Sequence, residues 1–177
     1  MRVIAGKFKK SNLFSVPGKT SRPTTDYIKE LIFSVIQDCK DQTILDLYAG
    51  SGGISIEALS RGAKFATMID FSDKAIMTMK KNIEKVKVSD QCRIYKKRAV
   101  SFLKKSEQKF DLIFLDPPYN KNLVNKTIAT ILENEQLNKD GKIIIEHSSH
   151  EQLSAEFAEK VFFQKKNGDT TISIIQN

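Results

Sequence analysis

From Thr43 onward, short apolar runs alternate with stretches of helical period, and this alternation most narrows the folds open to the chain. Thr43 to Tyr48, Phe65 to Phe71, Arg93 to Lys96, Leu112 to Leu115 and Lys142 to Glu146 read as strands. Between them lie helical segments: Ile54 to Arg61, a long helix capped by Ser72 with Ile76, Met79, Ile83 and Val86 on one side, Val100 to Lys105, and Leu123 to Leu132. Parallel strands need crossover connections, so the pattern predicts an α/β fold with a mainly parallel sheet covered on both faces. After a helix near Gln152 to Glu159, Val161 to Gln164 and Thr171 to Ile175 flank Asn167-Gly168-Asp169, which reads as a hairpin adding at least one antiparallel strand. Phe162 and Phe163 in that hairpin read as core.

The chain before Thr43 has a different character. Ile28, Leu31, Ile32, Val35 and Ile36 form one apolar face of a helix, with Thr24 or Thr25 as its cap and Asp26 in its first turn. Arg2 to Val16 reads as a small hairpin ending at Pro17-Gly18. Residues 1–25 are thus expected to form a basic arm belonging to the same unit as the 26–177 domain. The net charge is +8, and between Met1 and Thr25 there are six basic residues (Arg2, Lys7, Lys9, Lys10, Lys19 and Arg22) and no acid. Such an arm suits either a polyanionic partner or a solvated, solubilising tail. No apolar run approaches the roughly 20 residues that span a bilayer, and no signal-peptide pattern opens the sequence, so a cytoplasmic protein with no membrane contact is expected. Cys39 and Cys92 are too few for a disulfide framework. His147 and His150, with no cysteine partner, are read as no metal site.

Two strand ends carry the chemistry, where ligands of open α/β sheets bind. The first reads Asp46-Leu47-Tyr48-Ala49-Gly50-Ser51-Gly52-Gly53. Its glycines allow a tight turn and close backbone approach to a ligand. Asp46 can meet a cationic group, and Asp70, at the end of the next strand, can accept two ribose hydroxyls. A dinucleotide site would need a third glycine where Ser55 stands, and Asp46 would repel a pyrophosphate. The carboxylate instead suits the amino and sulfonium groups of S-adenosylmethionine. Tyr48, Ala49, Gly50, Ser51 and Gly52 would line that cofactor, with Phe71 beside Asp70 and Ala99 at the next strand end. Another nucleotide, or a tight turn with no ligand, remains open on this motif alone.

The second site is Asp116-Pro117-Pro118-Tyr119, directly after an apolar strand. A base amino group is a poor nucleophile because its lone pair is delocalised into the ring. Asp116 can accept one N–H and the Pro117 carbonyl the other, which turns the lone pair toward an electrophilic carbon. Pro117 and Pro118 stiffen the turn, and Tyr119 can stack on the base. Asp116 also adjoins the cofactor. Asp-Pro-Pro-Tyr alone could be a plain turn; at the matching strand end, the pair of motifs points to methyl transfer onto an exocyclic amino nitrogen.

The sequence resembles the RsmD family, bacterial methyltransferases that modify guanine N2 in 16S ribosomal RNA. The resemblance runs nearly end to end. It rests on Arg2-Val3-Ile4-Ala5-Gly6-Lys7, Arg22-Pro23-Thr24-Thr25-Asp26, Asp46-x-x-Ala49-Gly50-Ser51-Gly52, Glu57-Ala58-Leu59-Ser60-Arg61-Gly62-Ala63 and Asp116-Pro117-Pro118-Tyr119. It implies a class I, Rossmann-like methyltransferase fold of seven strands with the last hairpin antiparallel. It also implies S-adenosylmethionine held by Asp46, Gly50 and Asp70, and guanine held by Asp116, Pro117 and Tyr119. RNA contacts would come from Arg2, Lys7, Lys9, Lys10, Lys19, Arg22, Thr24 and Thr25. The implied partner is 16S rRNA in the small ribosomal subunit or its assembly intermediate, with adjacent ribosomal proteins, and the chain is expected to act as a monomer. Arg98 departs from the acid or amide that family members often place before the alanine at Ala99. Arginine accepts no hydrogen bond, which shifts adenine recognition to the Ala99 backbone or elsewhere.

Three rivals share part of the pattern. A DNA amino-methyltransferase needs the same amino-holding motif but usually a larger target-recognition region than 177 residues leave room for. A protein-glutamine methyltransferase favours Asn where Asp116 stands. A non-catalytic RNA-binding assembly factor has no need of Asp46 and Asp116 together.

Overall fold

The computed structural model describes residues 1–18, 26–37, 39–119 and 122–176. Lys19, Arg22, Thr24 and Thr25 lie outside the described residues. Helix α1 (Asp26–Ile36) buries Ile28, Ile32 and Ile36 of the expected face, leaves Leu31 and Val35 only partly buried, and buries Phe33, which lies beside that face. The alternation then unfolds as β1 (Thr43–Leu47), α2 (Gly53–Ser60), β2 (Phe65–Asp70), α3 (Asp73–Val86), β3 (Cys92–Lys96), α4 (Ala99–Leu103), β4 (Phe110–Leu115), α5 (Leu123–Glu133), β5 (Leu137–Ser148), α6 (Ala155–Ala158), β6 (Val161–Asn167) and β7 (Thr170–Gln176).

The seven strands form one sheet in the order β3-β2-β1-β4-β5-β7-β6. Strands β1 to β5 pair in parallel, β7 is antiparallel to β5, and β6 is antiparallel to β7. Only β7 therefore runs against the rest; β6, antiparallel to β7, points with the others rather than against them. The order reverses at β1, which places the ligand crevice where β1 and β4 separate.

Period two sorts the strand residues between two cores. Ile44, Met68, Leu112, Phe114 and Ile144 face α1, α2 and α3, whereas Leu45, Leu47, Ile69, Ile113, Leu115 and Ile145 face α4, α5 and α6. The same alternation puts Asp46 and Asp70 on the α2 face, and Asp116 continues it one step past β4.

Several boundaries differ from expectation. Strand β5 starts at Leu137, not Lys142, and crosses a register irregularity opposite Phe110–Leu112. Its early residues are polar, which hid them. Helix α6 is only four residues long because the preceding chain is tied sideways to α5: Ser154 N donates to Asn125 Oδ1 (2.9 Å) and Asn125 Nδ2 to the Gln152 carbonyl (3.0 Å). The hairpin turn sits one residue later than expected: Asn167 pairs with Thr170, and Gly168, at φ +62°, begins the loop. Phe163 packs against the core, but Phe162 is half exposed, because β6 is the sheet edge and its outward residues meet solvent.

The basic arm is hairpin-like, with the antiparallel bridge Arg2 to Asn12 and a turn around Gly6 to Lys10. It is fastened to the body by buried polar groups. The fully buried Glu57 carboxylate accepts from Ile4 N (2.7 Å), Ala5 N (3.0 Å) and Arg61 Nε (2.9 Å). Lys29, also fully buried, donates to the Arg2 carbonyl, and burial lowers its pKa. Asn82 Oδ1 accepts from Phe14 N (2.7 Å), while its Nδ2 donates to the Phe14 carbonyl (3.0 Å).

Candidate active site

The crevice is built from the ends of β1, β2 and β4. Asp46, the fourth residue of β1, is almost fully buried, and Ser55 Oγ from the first turn of α2 donates to its Oδ2 (2.7 Å). Burial pushes the Asp46 carboxyl up to about 7 against the pull of Ser55, and the nearby charges of Asp116 and Asp70 push the same way. A buried acid so poised is a strong receptor for a cation, whose arrival favours the ionised form.

The turn after β1 is sharply bent. Tyr48 at φ +65° holds a left-handed conformation that side chains rarely adopt, and its hydroxyl is anchored to Thr127 Oγ1 (3.0 Å) on α5. Gly52, at φ +76°, caps α2; a Cβ there would stand 3.1 Å from Met68 Sδ and 3.2 Å from Met79 Cγ. Asn82 Nδ2 also donates to the Ser51 carbonyl (2.9 Å), so one buried amide braces both the glycine turn and the arm.

Asp70 closes β2. Its Oδ2 accepts from Gly50 N (2.9 Å) and its Oδ1 from Ser72 N (2.8 Å), which leaves each oxygen a further lone pair for a hydroxyl donor. Beyond it, Phe71 is 57% exposed, a large apolar ring unsupported by the core, and the Arg98 guanidinium stands 5.5 Å from its centroid. Ala99, buried, opens α4 beside it.

On the other side of the crevice, Asp116 N lies 3.5 Å from the Leu47 carbonyl, so the Asp116-Pro117-Pro118-Tyr119 turn is tied to the end of β1. Asp116 is exposed, Pro117 buried and Tyr119 38% exposed. Tyr119 is fixed by its hydroxyl to Thr170 Oγ1 (3.0 Å) at the start of β7. Burial raises the Tyr119 phenol pKa, with Glu146, Asp116 and Asp169 adding to the effect against the Thr170 bond.

The family model described as Conserved hypothetical protein 95 matches residues 1–176. YlbH of Bacillus subtilis is 38% identical, over 98% of this chain and 97% of that one. The ribosomal RNA small subunit methyltransferase D of Haemophilus influenzae is 31% identical, over 100% of this chain and 94% of that one. The chain belongs to the RsmD family. The solved structure of yhhF from Escherichia coli, 30% identical, superposes with a TM-score of 0.88 and covers 100% of this chain and 97% of that one. The chain is a methyltransferase, and the methyl donor expected from its sequence is S-adenosylmethionine.

The residues fit that group. Asp46 is a buried acid facing a crevice that calls for a cation, Asp70 has acceptor capacity for vicinal hydroxyls, and exposed Phe71 offers a face to a purine. The expected cofactor residues, from Asp46 through Tyr48, Ala49, Gly50, Ser51 and Gly52 to Asp70, Phe71 and Ala99, gather at one end of the sheet, with the Asp116–Tyr119 turn across from them. The arm lysines do not. The Lys7 amide is bonded to the Ser60 carbonyl (2.7 Å), which places the turn carrying Lys7, Lys9 and Lys10 at the far end of α2 from the glycine loop, about 12 Å along its eight residues. Arg2 is paired with Asp26 (2.8 Å).

Sequence reasoning missed Ser55, Thr127, Thr170 and Asn82. Ser55 carried a signal, being polar and buried among Gly53, Ile56, Ala58 and Leu59 on α2. The others act across tertiary distances and left none. His147 is accounted for: its Nδ1 faces the Ser148 and Glu151 carbonyls (both 3.0 Å) and donates to them, and its Nε2 is hydrogen-bonded to Ser173 Oγ (2.9 Å).

Proposed function

We propose that this chain, acting as a cytoplasmic monomer, methylates the exocyclic N2 amino group of a guanine in 16S ribosomal RNA of the small subunit or its assembly intermediate. The observation that carries the reading is the placing of Asp46 and Asp116 at the ends of neighbouring strands on one sheet face, in a chain whose relatives include a small-subunit rRNA methyltransferase.

Bound S-adenosylmethionine supplies an electrophilic methyl carbon on a sulfonium. Asp46 answers the charge of that group, Asp70 accepts its ribose hydroxyls, and Phe71 covers its base. Asp116 accepts one N–H of the guanine amino group and the Pro117 carbonyl accepts the other, which orients the nitrogen lone pair toward the methyl carbon. Tyr119, held by Thr170, stacks on the base, which reaches the crevice unpaired or flipped out. Methylation of the amino nitrogen would leave it one proton to lose, which an Asp116 oxygen would take up. Arg2, Lys7, Lys9, Lys10, Lys19, Arg22, Thr24 and Thr25 contact RNA, and the Ala99 backbone reads the adenine.

The test is transfer of labelled methyl from S-adenosylmethionine to unmodified small subunits, naked 16S rRNA, DNA and a release-factor protein, with the product nucleoside identified by mass spectrometry. N2-methylguanosine on subunits is the expected result. Label on DNA or on glutamine moves the function to a rival, and cofactor binding with no acceptor anywhere favours an assembly factor.

A further inference from the structure

Helix α3 carries Lys74, Lys80, Lys81 and Lys85, with Lys87 just beyond it, against Asp73 and Glu84. Asp73 is already held by Lys96 (2.6 Å). Lys74, Lys81 and Lys85 fall at i, i+7 and i+11, one stripe that spans about 16 Å of helix. All three are exposed, and among the described residues none forms an ion pair. The arm runs antiparallel along this stripe. Phe14 lies under Lys85, whose Nζ is 4.7 Å from the ring centroid, and Gly18 lies by Lys74, whose Nζ would stand 3.5 Å from a Cβ there.

Phe14 is 51% exposed, which is a poor place for a phenyl ring whose only role is packing. Its backbone is held in place, because fully buried Asn82 grips both its N–H and its carbonyl. An exposed aromatic ring on a held backbone, flanked by cations that form no ion pair among the described residues, is the composition of a nucleic-acid platform, in which bases stack and lysines follow the backbone.

We propose that Phe14 together with Lys74, Lys81 and Lys85 forms a docking ridge for RNA flanking the target base, with Phe14 stacking on an unpaired base and the lysines on phosphates. The partner is an RNA strand because the ridge joins net positive charge to an exposed ring, and because Asn82 continues from it to the Ser51 carbonyl of the glycine turn. This rests on the rRNA reading above. Lysine pairing with phosphate releases counterions, so each contact contributes about 0.7–0.9 to the salt slope of binding.

The experiment uses the full chain, with Phe14→Ala, the double variant Lys81→Ala/Lys85→Ala, and a control of equal charge change away from α3, Lys126→Ala on α5 with Lys139→Ala on β5. Binding to naked 16S rRNA is measured across a potassium chloride series, and KM and kcat on unmodified small subunits. The lysine pair on α3 should make the salt slope shallower by about 1.5 and weaken binding about tenfold near 0.15 M salt, with kcat unchanged. Phe14→Ala should weaken binding at least about fivefold at every salt concentration and leave the slope alone. Parent-like affinity for naked RNA and parent-like KM in both variants overturn the ridge, as does an equal loss in the control. A KM defect on subunits with normal binding to naked RNA overturns it too, since the partner would then be a ribosomal protein. If the parent itself methylates no subunits, the rRNA reading fails separately, while the salt series on naked RNA still decides the ridge.

Discussion

Replacing Asp46 with asparagine should make the ligand-free protein more stable while impairing its hold on the cofactor. The carboxyl ordinarily titrates at 3.8 and is pushed up to about 7 in the folded chain, chiefly by burial. The folded state thus keeps a proton that the unfolded state releases as pH rises from about 4 to about 7. Stability contributed at this site therefore falls through that window and is level above it. At roughly 1.4 kcal/mol per unit, the penalty is at most about 1–2 kcal/mol at pH 5 and about 4 kcal/mol at pH 8. Asp46→Asn escapes it, and Ser55 can still donate to the amide oxygen. The stability difference between variant and parent should therefore widen by about 2–3 kcal/mol from pH 5 to pH 8, or about 5–10 °C in Tm for a chain of this size. Chemical denaturation at the two pH values measures it. Calorimetric titration with S-adenosylmethionine supplies the second arm. The parent must ionise Asp46 to meet the cation, so its affinity should rise by up to about eightfold from pH 6 to 7.5, whereas the variant should bind weakly and without that slope. A variant-to-parent difference identical at pH 5 and pH 8 would refute the reasoning.

Three further outcomes are expected. Asp116→Ala should lower methyl transfer at least about tenfold while calorimetry shows near-parental cofactor affinity. Glu57→Ala should cost about 3 kcal/mol, because two amides and Arg61 lose a buried partner, and limited proteolysis should then cut within residues 1–18. Gly52→Ala should lower Tm by several degrees, about 1–3 kcal/mol, since its φ of +76° is unfavourable and Met68 and Met79 crowd the added methyl.

Much of the fold was legible because both periods were clean. The runs at Ile44-Leu45 and Leu112 to Leu115 bury what their spacing says they should, and α1 buries Ile28, Ile32 and Ile36 of its expected stripe. The site was legible where its chemistry is local: Asp46, the glycine turn and Asp116 each follow a strand in sequence. What escaped was fixed by contacts between distant segments. Polar Asn138 to Gly141 join β5 only because Leu137 pairs with Phe110. Ser55, read merely as a missing glycine, proves to be the partner of Asp46. Phe162 and Phe163 looked alike until β6 was placed at the sheet edge, where neighbours on one strand meet opposite fates.

The fastening of the arm has a consequence for the order of assembly. Besides Lys29 on α1, its buried anchors are Glu57, 53 residues beyond Ile4, and Asn82, 68 residues beyond Phe14. The last two sit on helices that need β1 and β2 beneath them. With only α1 to meet earlier, the arm therefore lacks its full seat until α2 and α3 have been synthesised and docked. The arm emerges before these anchors and settles late, and its docking braces the Ser51 turn through Asn82. A nascent chain stalled before Asn82 would expose the arm unanchored at Phe14, whatever the state of the strands already made.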